Sequence, residues 1–147
     1  LTSSNSRIIR CPGTIEITGN IDIGSGFTEQ SLPQLIIIAD RINIHSTVTR
    51  INAWLVASGE HAVINTCSNV TGNLTLSLCD EPLQVNGPTI AKTLLLRRTA
   101  GADGGSPSSP PAERFNLRGD AYIWAYRQAK RTSSIRTDYI RELPPRY

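Results

Sequence analysis

Between Thr14 and Thr99 the chain is a succession of short runs in which apolar and polar residues alternate, each built around an Asn or a Gly. The first is Ile15-Glu16-Ile17-Thr18-Gly19-Asn20-Ile21-Asp22-Ile23. Leu35-Ile36-Ile37-Ile38-Ala39-Asp40-Arg41-Ile42-Asn43-Ile44 and Val70-Thr71-Gly72-Asn73-Leu74-Thr75-Leu76 repeat the idea. A period of two turns one row of side chains inward and the other outward, as in a strand. Runs this short bury a core only by stacking on one another. The pattern predicts strands at 14–23, 35–44, 48–57, 62–66, 69–78, 83–85 and 89–97. The connections between them are polar and hold the Gly, Asn, Ser or Pro that turns require.

The segments Gly19–Ile23, Asp40–Ile44 and Gly72–Leu76 align best, with a loose spacing. They predict an all-β parallel solenoid over 14–99. Its inward row would include Ile15, Ile17, Ile21, Ile23, Ile42, Ile44, Leu55, Leu74 and Leu76. An antiparallel sandwich competes, since several short strands separated by turns also fit it. Two features weigh against the sandwich. The one tight Asn-Gly pair, Asn86-Gly87, is followed by Pro88, and only Phe27 and Trp54 are aromatic before residue 113. Aliphatic stacks suit parallel layers spaced about 4.8 Å apart.

Charge divides the chain. Residues 1–112 carry seven Lys or Arg against eight Asp or Glu, and residues 113–147 carry eight against four. The formal net charge of +3 therefore belongs to the tail. Six of the eight aromatic residues also lie there: Phe115, Tyr122, Trp124, Tyr126, Tyr139 and Tyr147. These aromatics, with Arg127 and Arg141, are candidate assembly residues, because Tyr, Trp and Arg anchor interfaces. A basic tail also raises nucleic acid or another acidic polymer, but its arginines are read as interface and solvation groups. Asp120 predicts the start of a short helix from Ala121 to about Arg131. The prolines near the C-terminus predict an extended arm. Four divisions result: a lead-in at 1–13, the stacked strands at 14–99, a Gly/Ser/Pro linker at 100–112, and a packing or assembly tail at 113–147. Extended, the linker would reach roughly 30–40 Å, enough to touch another copy. The chain starts Leu1-Thr2-Ser3 and has no Met, so a removed leader or a longer parent polypeptide is expected. No run of residues approaches the roughly 20 apolar positions of a membrane span.

Cys67 and Cys79 flank a polar segment and read as a disulfide, with Cys11 left over. The bridge would contribute roughly 3 kcal/mol and would imply an oxidising compartment. Metal pairs of the Cys-x-x-Cys type are absent, as are phosphate-binding loops, so neither metal nor cofactor is expected. Asp22, Asp40, Asp80 and Glu81 are the carboxylates that could serve acid–base chemistry. Asp22 and Asp40 would do so if their runs stacked, although outward strand charges more often keep sheet surfaces soluble. Asn20, Asn43, Asn52, Asn73 and Asn86 either stack as a hydrogen-bonded ladder or serve turns. Asn69 and Asn73 each open an Asn-x-Thr glycosylation pattern, and Arg118-Gly119-Asp120 is an integrin-type tripeptide.

The run Ile17-Thr18-Gly19-Asn20-Ile21-Asp22-Ile23, followed by Leu32-Pro33-Gln34-Leu35 through Ile44, resembles the coils of bacterial right-handed β-helices, and loosely the bactofilin-type polymer-forming domains. The resemblance implies a right-handed parallel β-solenoid. The stretch from Leu94 through Pro111-Ala112-Glu113 to Leu143-Pro144-Pro145-Arg146-Tyr147 is similar to C-terminal segments of large bacterial surface proteins. The cysteines, linker and aromatic tail set the chain apart from bactofilins and move the expectation to the cell exterior. The resulting expectation is a structural protein with no catalytic residues, assembling with itself into a surface or filament, or acting within a larger surface protein. A carbohydrate-active enzyme or a glycan-binding adhesin module is the alternative.

Overall fold

The computed structural model describes residues 6–24, 27–28, 31–99 and 111–132. In chain order the described elements are β1 (Arg7–Ile17), β2 (Leu35–Ile44), β3 (Arg50–Ile51), β4 (Trp54–Ala57), β5 (Val63–Asn65), β6 (Leu83–Asn86), β7 (Thr89–Ile90), β8 (Thr93–Leu95), β9 (Glu113–Asn116) and α1 (Gly119–Thr132). Every strand pairing among them is parallel. In the larger sheet β1 lies beside β2, and β2 then pairs with β4 along its first half and β5 along its second. β7 and β8 follow on β4 and β5. The smaller sheet runs β3-β6-β9, and an isolated bridge from Ile21 to Ile51 extends it by one position.

The two sheets share an aliphatic interior built from register-mates. Ile15, Ile42, Ile64 and Leu94 form one row, and Ile21, Ile51, Val85 and Phe115 another. Ile42, Ile44, Ile51, Leu55 and Ile64 are fully buried. β-branched and Leu side chains one strand spacing apart fill such a row without voids. Gly87 is required where the layers approach most closely. A Cβ there would lie 2.2 Å from the Ala53 carbonyl oxygen. Asn86-Gly87-Pro88 is therefore a stacking point between β6 and β7, with the Gly87 amide donating to the Asn116 carbonyl at 2.9 Å.

The expected right-handed β-solenoid over 14–99 is corrected by this topology. What forms among the described residues is two parallel sheets of unequal size, with a half-barrel curl, and one helix. The physical reason is the lack of a constant repeat. Register-mates along the first row are 27, 22 and 30 residues apart, as the numbering of Ile15, Ile42, Ile64 and Leu94 shows. β2 also runs unbroken opposite two strands, because Ser58–His61 interrupts the next layer at Gly59, which has a φ of 110°.

Three further expectations change. The strand predicted at 69–78 is not formed. Its ends are tied together by the disulfide, Gly72 turns it with a φ of 82°, and Leu76 is exposed. Leu74 and Leu76 are thus not part of the interior row, whereas Ile17, Ile42, Ile44 and Leu55 are buried in the core and Ile15 and Ile21 pack against it. The lead-in expected at 1–13 contributes strand from Arg7 onward, where the Arg7 amide donates to the Gln34 carbonyl at 2.8 Å. The tail expected from Glu113 begins as β9, a full member of the smaller sheet. Most of the linker (100–110), and the arm with Tyr139, Arg141 and Tyr147, lie outside the described residues.

Candidate assembly surface

The last layer consists of β7, β8 and β9, and it is where the interior rows meet solvent. Ile42 and Ile64 are fully buried, yet their register-mate Leu94 is 39% exposed. Ile51 and Val85 are fully buried, yet their mate Phe115 is 36% exposed. Leu96 and Leu117 beside them are 60% and 58% exposed. At the other end of the same interior Ile17 is only 5% exposed, but Ile8 and Ile9 on β1 are 64% and 48% exposed, and the outer edge of β1 is also unpaired among the described residues. Among the described residues no strand pairs with the outer edges of β7, β8 and β9. An apolar cross-section and unpaired strand edges therefore coincide.

The helix α1 lies along the flank. Ala121 is buried and Trp124 meets Trp54 of β4 edge-on, with ring centroids 5.8 Å apart. Gln34 ties the contact together, accepting from Trp54 Nε1 at 2.8 Å and donating to Asp120 Oδ2 at 3.2 Å. Of the assembly candidates, Trp124 is thus spent on the protein's own flank. Tyr122 and Tyr126, four residues apart on α1, are exposed, with Lys130 Nζ 4.9 Å over the Tyr126 ring. Arg127 is half-buried on the same helix. Leu94, Leu96 and Leu117 were missed at sequence level, because nothing in the alternation tells an internal layer from a terminal one.

Polar groups elsewhere are committed to the fold. Asp22 accepts from Asn52 at 3.3 Å and pairs with Arg50 at 3.5 Å beside the smaller sheet, while Asp40 sits on β2 of the larger. Acid–base work by this pair would have needed their runs to stack, and the two carboxylates lie by different sheets. Asp80 and Glu81 are exposed beyond Cys79. Glu16 Oε2 lies 3.4 Å from both His45 Nε2 and Ser68 Oγ. A carboxylate between imidazole and hydroxyl does not make a relay, which needs the imidazole to take the hydroxyl proton. Arg118 and Asp120 form a two-pronged ion pair with each other, so the Arg-Gly-Asp tripeptide is closed on itself. Asn69 exchanges hydrogen bonds with the Ser46 amide and hydroxyl, while Asn73 is exposed in the disulfide loop.

A shallow cleft of about 250 Å³ opens over Arg50, Gln84 and Arg114, which occupy successive strands of the smaller sheet. No group of three His, Cys, Asp or Glu side chains able to hold a metal occurs among the described residues. No helix among them is long and apolar enough to cross a membrane.

Two features bind the corner of the layers near 45–48, 66–67, 79–81 and 98. Cys67 and Cys79 form the disulfide, and Cys11 is free. Cys79 takes a φ of 59°, unusual without glycine, and its carbonyl accepts from the Thr99 amide at 3.0 Å. Beside it Arg98 is buried and donates to five backbone carbonyls: Thr66 at 2.7 Å, His45 at 2.7 Å, Val48 at 2.9 Å, Glu81 at 3.0 Å, and Ser46. Burial pushes this guanidinium below its ordinary value, and the Glu113 and Glu81 carboxylates oppose the shift. Glu113 Oε1 accepts from the Arg98 amide at 2.8 Å and lies 2.7 Å from the buried Thr66 hydroxyl.

No protein-family model matches the chain, no curated protein matches it, and no solved structure matches it.

Proposed function

We propose that this protein is an extracellular structural component that assembles with itself at a surface. One observation carries the reading: the interior rows, sealed in the middle layers, are left uncovered by described residues at β8 and β9. Exposed apolar patches rimmed by polar groups mark sites of association. The disulfide is weakly consistent with an oxidising exterior. The C-terminal resemblance to bacterial surface proteins points the same way. The reading gives no residue a catalytic role, since it finds no use for a converging carboxylate pair. Arg114, Phe115 and the exposed face of α1 are available to the assembly in addition to the terminal layer.

The test is the mass of the intact protein by light scattering across a hundredfold range of concentration. Self-association that grows with concentration is the expected result, and a single-chain mass throughout would end the reading. Truncation after Ala112 is a poor substitute, because it strips β9 from the smaller sheet.

A further inference from the structure

The smaller sheet turns Ile51, Val85 and Phe115 toward the interior, so the residues on either side of them face out. Two outward rows result. One is the ladder in which Asn116 Nδ2 donates to Asn86 Oδ1 at 2.9 Å, Asn86 Nδ2 to Asn52 Oδ1 at 2.8 Å, and Asn52 Nδ2 to Asp22 Oδ1 at 3.3 Å. The other is Arg50, Gln84 and Arg114, register-mates on β3, β6 and β9. The shallow cleft of about 250 Å³ opens over this second row. Strand spacing sets the two arginine backbones roughly 9–10 Å apart, with Gln84 between them.

The ladder fixes what Gln84 offers. Asp22 as a carboxylate only accepts, so Asn52 gives it a hydrogen, and Asn52 in turn accepts from Asn86. Asn86 Oδ1 is left to accept, from Asn116 Nδ2 and from Gln84 Nε2 at 3.0 Å. Gln84 keeps its carbonyl oxygen and one amide hydrogen for the cleft. That pair matches a hydroxyl, which both gives and accepts.

The two guanidiniums are available to a ligand. Arg114 is exposed and has no hydrogen-bond or ion-pair partner among the described residues. Its neighbour Glu113 turns to the opposite face, where it accepts from Thr66 and Arg98. Arg50 meets Asp22 at 3.5 Å, with both side chains 58% exposed. An ion pair that open is worth little, so it gives way to a better-placed anion. A row of cation, amide and cation suits a polymer that carries both carboxylates and hydroxyls, because the guanidinium fork matches a carboxylate. The exposed rings of Pro82 and Pro111 flank the row and suit the apolar face of a sugar ring. No aromatic side chain lines the cleft among the described residues, so it lacks the stacking platform that holds single-stranded nucleic acid. It lies on a sheet face, where a peptide gains no strand pairing.

We infer that the cleft over Arg50, Gln84 and Arg114 binds an acidic polysaccharide, its carboxylates held by the two arginines and a hydroxyl by Gln84. The inference does not rest on self-assembly, which light scattering tests separately.

The experiment is calorimetric titration of the full chain with alginate and hyaluronan oligosaccharides, with neutral dextran as the control. Binding of at least one acidic probe, weakening as salt is raised, is the expected result. Arg114→Gln and Arg50→Gln should each weaken it by at least about tenfold, the worth of one hydrogen-bonded charge pair. Both side chains are exposed, so circular dichroism and unfolding temperature should match the wild type. Arg114→Lys keeps the charge and loses the fork, so its affinity should fall between the two. Arg10→Gln removes an equally charged, exposed residue from β1 and should leave binding unchanged. A loss with Arg10→Gln as large as with Arg114→Gln overturns the site, since the attraction would then belong to the net charge of +3 alone. So does a failure to bind either acidic probe, or equal binding of dextran. Tighter binding of single-stranded DNA or of polyglutamate of matched charge overturns the assignment to a polysaccharide.

Discussion

The aliphatic rows and the Arg98 corner hold the same layers together by opposite means. In the rows, Ile42 and Ile64, Ile37 and Leu55, and Ile51 and Val85 stack one strand spacing apart, and the stabilisation scales with apolar area removed from water. No single contact is directional, so each row tolerates the irregular spacing between its members. In the corner, one side chain from Arg98 reaches the carbonyls of His45, Ser46 and Val48 in the connection after β2, and of Thr66 and Glu81 in the connection after β5. These turns leave the sheets, so their carbonyls have no strand partner. A buried carbonyl without a donor is costly. The planar guanidinium supplies five donors in fixed directions, which a lysine cannot. The rows make the fold compact, and the corner fixes how the turns are placed.

That difference predicts unequal losses. Replacing Arg98 by Leu removes the donor from five carbonyls, of which only His45 keeps another, the Val48 amide at 3.1 Å, and should destabilise by about 3–5 kcal/mol, the range for breaking a buried charged interaction. Chemical denaturation with an unchanged m-value checks it. The loss should not vary with pH between about 5 and 9, because an arginine stays protonated throughout. Burial lowers the folded-state value of Arg98, so the unfolded chain would hold the extra proton. Any linked change therefore appears only in strongly alkaline solution, and there stability gains with rising pH. Ile64→Ala, in the sealed middle of a row, should cost about 2–4 kcal/mol through lost burial and a residual cavity. Leu94→Ala, one layer on in the same row, should cost under about half of that in the isolated monomer, because its flank is already wet. Equal losses at the two positions would mean that the last layer is covered.

The rows were legible in the sequence and the corner was not, for a physical reason. Alternation is a local property, so Ile15, Ile17, Ile42, Ile44 and Leu55 announce an inward face without reference to any other segment. The same alternation misleads at Leu74 and Leu76, where the Cys67–Cys79 bridge closes the segment into an exposed loop. The bridge itself could be read from two cysteines around a polar stretch. Arg98 gives no such signal. Its partners lie 17 to 53 positions away, and its neighbours Leu96 and Arg97 suggest an outward charge at the end of a strand. The site was legible only in composition. Aromatics gathered after residue 112 pointed to a surface, but they did not separate Trp124, packed on Trp54, from the exposed Tyr122 and Tyr126. Which layer is terminal depends on how the chain pairs, and a regular solenoid with a detachable tail was the wrong pairing.

The smallest predicted effect concerns a region between those two extremes. Asn86 is neither apolar filling nor a buried charge. It sits in the middle of the Asp22–Asn52–Asn86–Asn116 ladder, giving one hydrogen bond and accepting from Asn116 and Gln84. It was one of five asparagines whose sequence allowed either a ladder or a turn. Asn20 also reaches across to the next layer, its Oδ1 accepting from the Thr49 and Arg50 amides at 2.8 and 3.0 Å, so it ties layers together without joining the side-chain ladder. Asn52 and Asn86 resolve as a ladder. Because the ladder lies on a half-buried face, water can replace part of what is lost. Asn86→Ala should therefore cost only about 1 kcal/mol, the net worth of ordinary hydrogen bonds. Asn86→Asp is the sharper test. It keeps the size, removes the donor to Asn52, and sets a second carboxylate in the row that ends on Asp22. If the direction of the ladder matters, Asn86→Asp should be the more destabilising at pH 7, and the excess over Asn86→Ala should fall as pH drops through about 4, where carboxylates take up protons. Thermal unfolding of both variants at pH 7 and pH 4 measures it. Equal stabilities at pH 7 would show that the row is held by stacking alone.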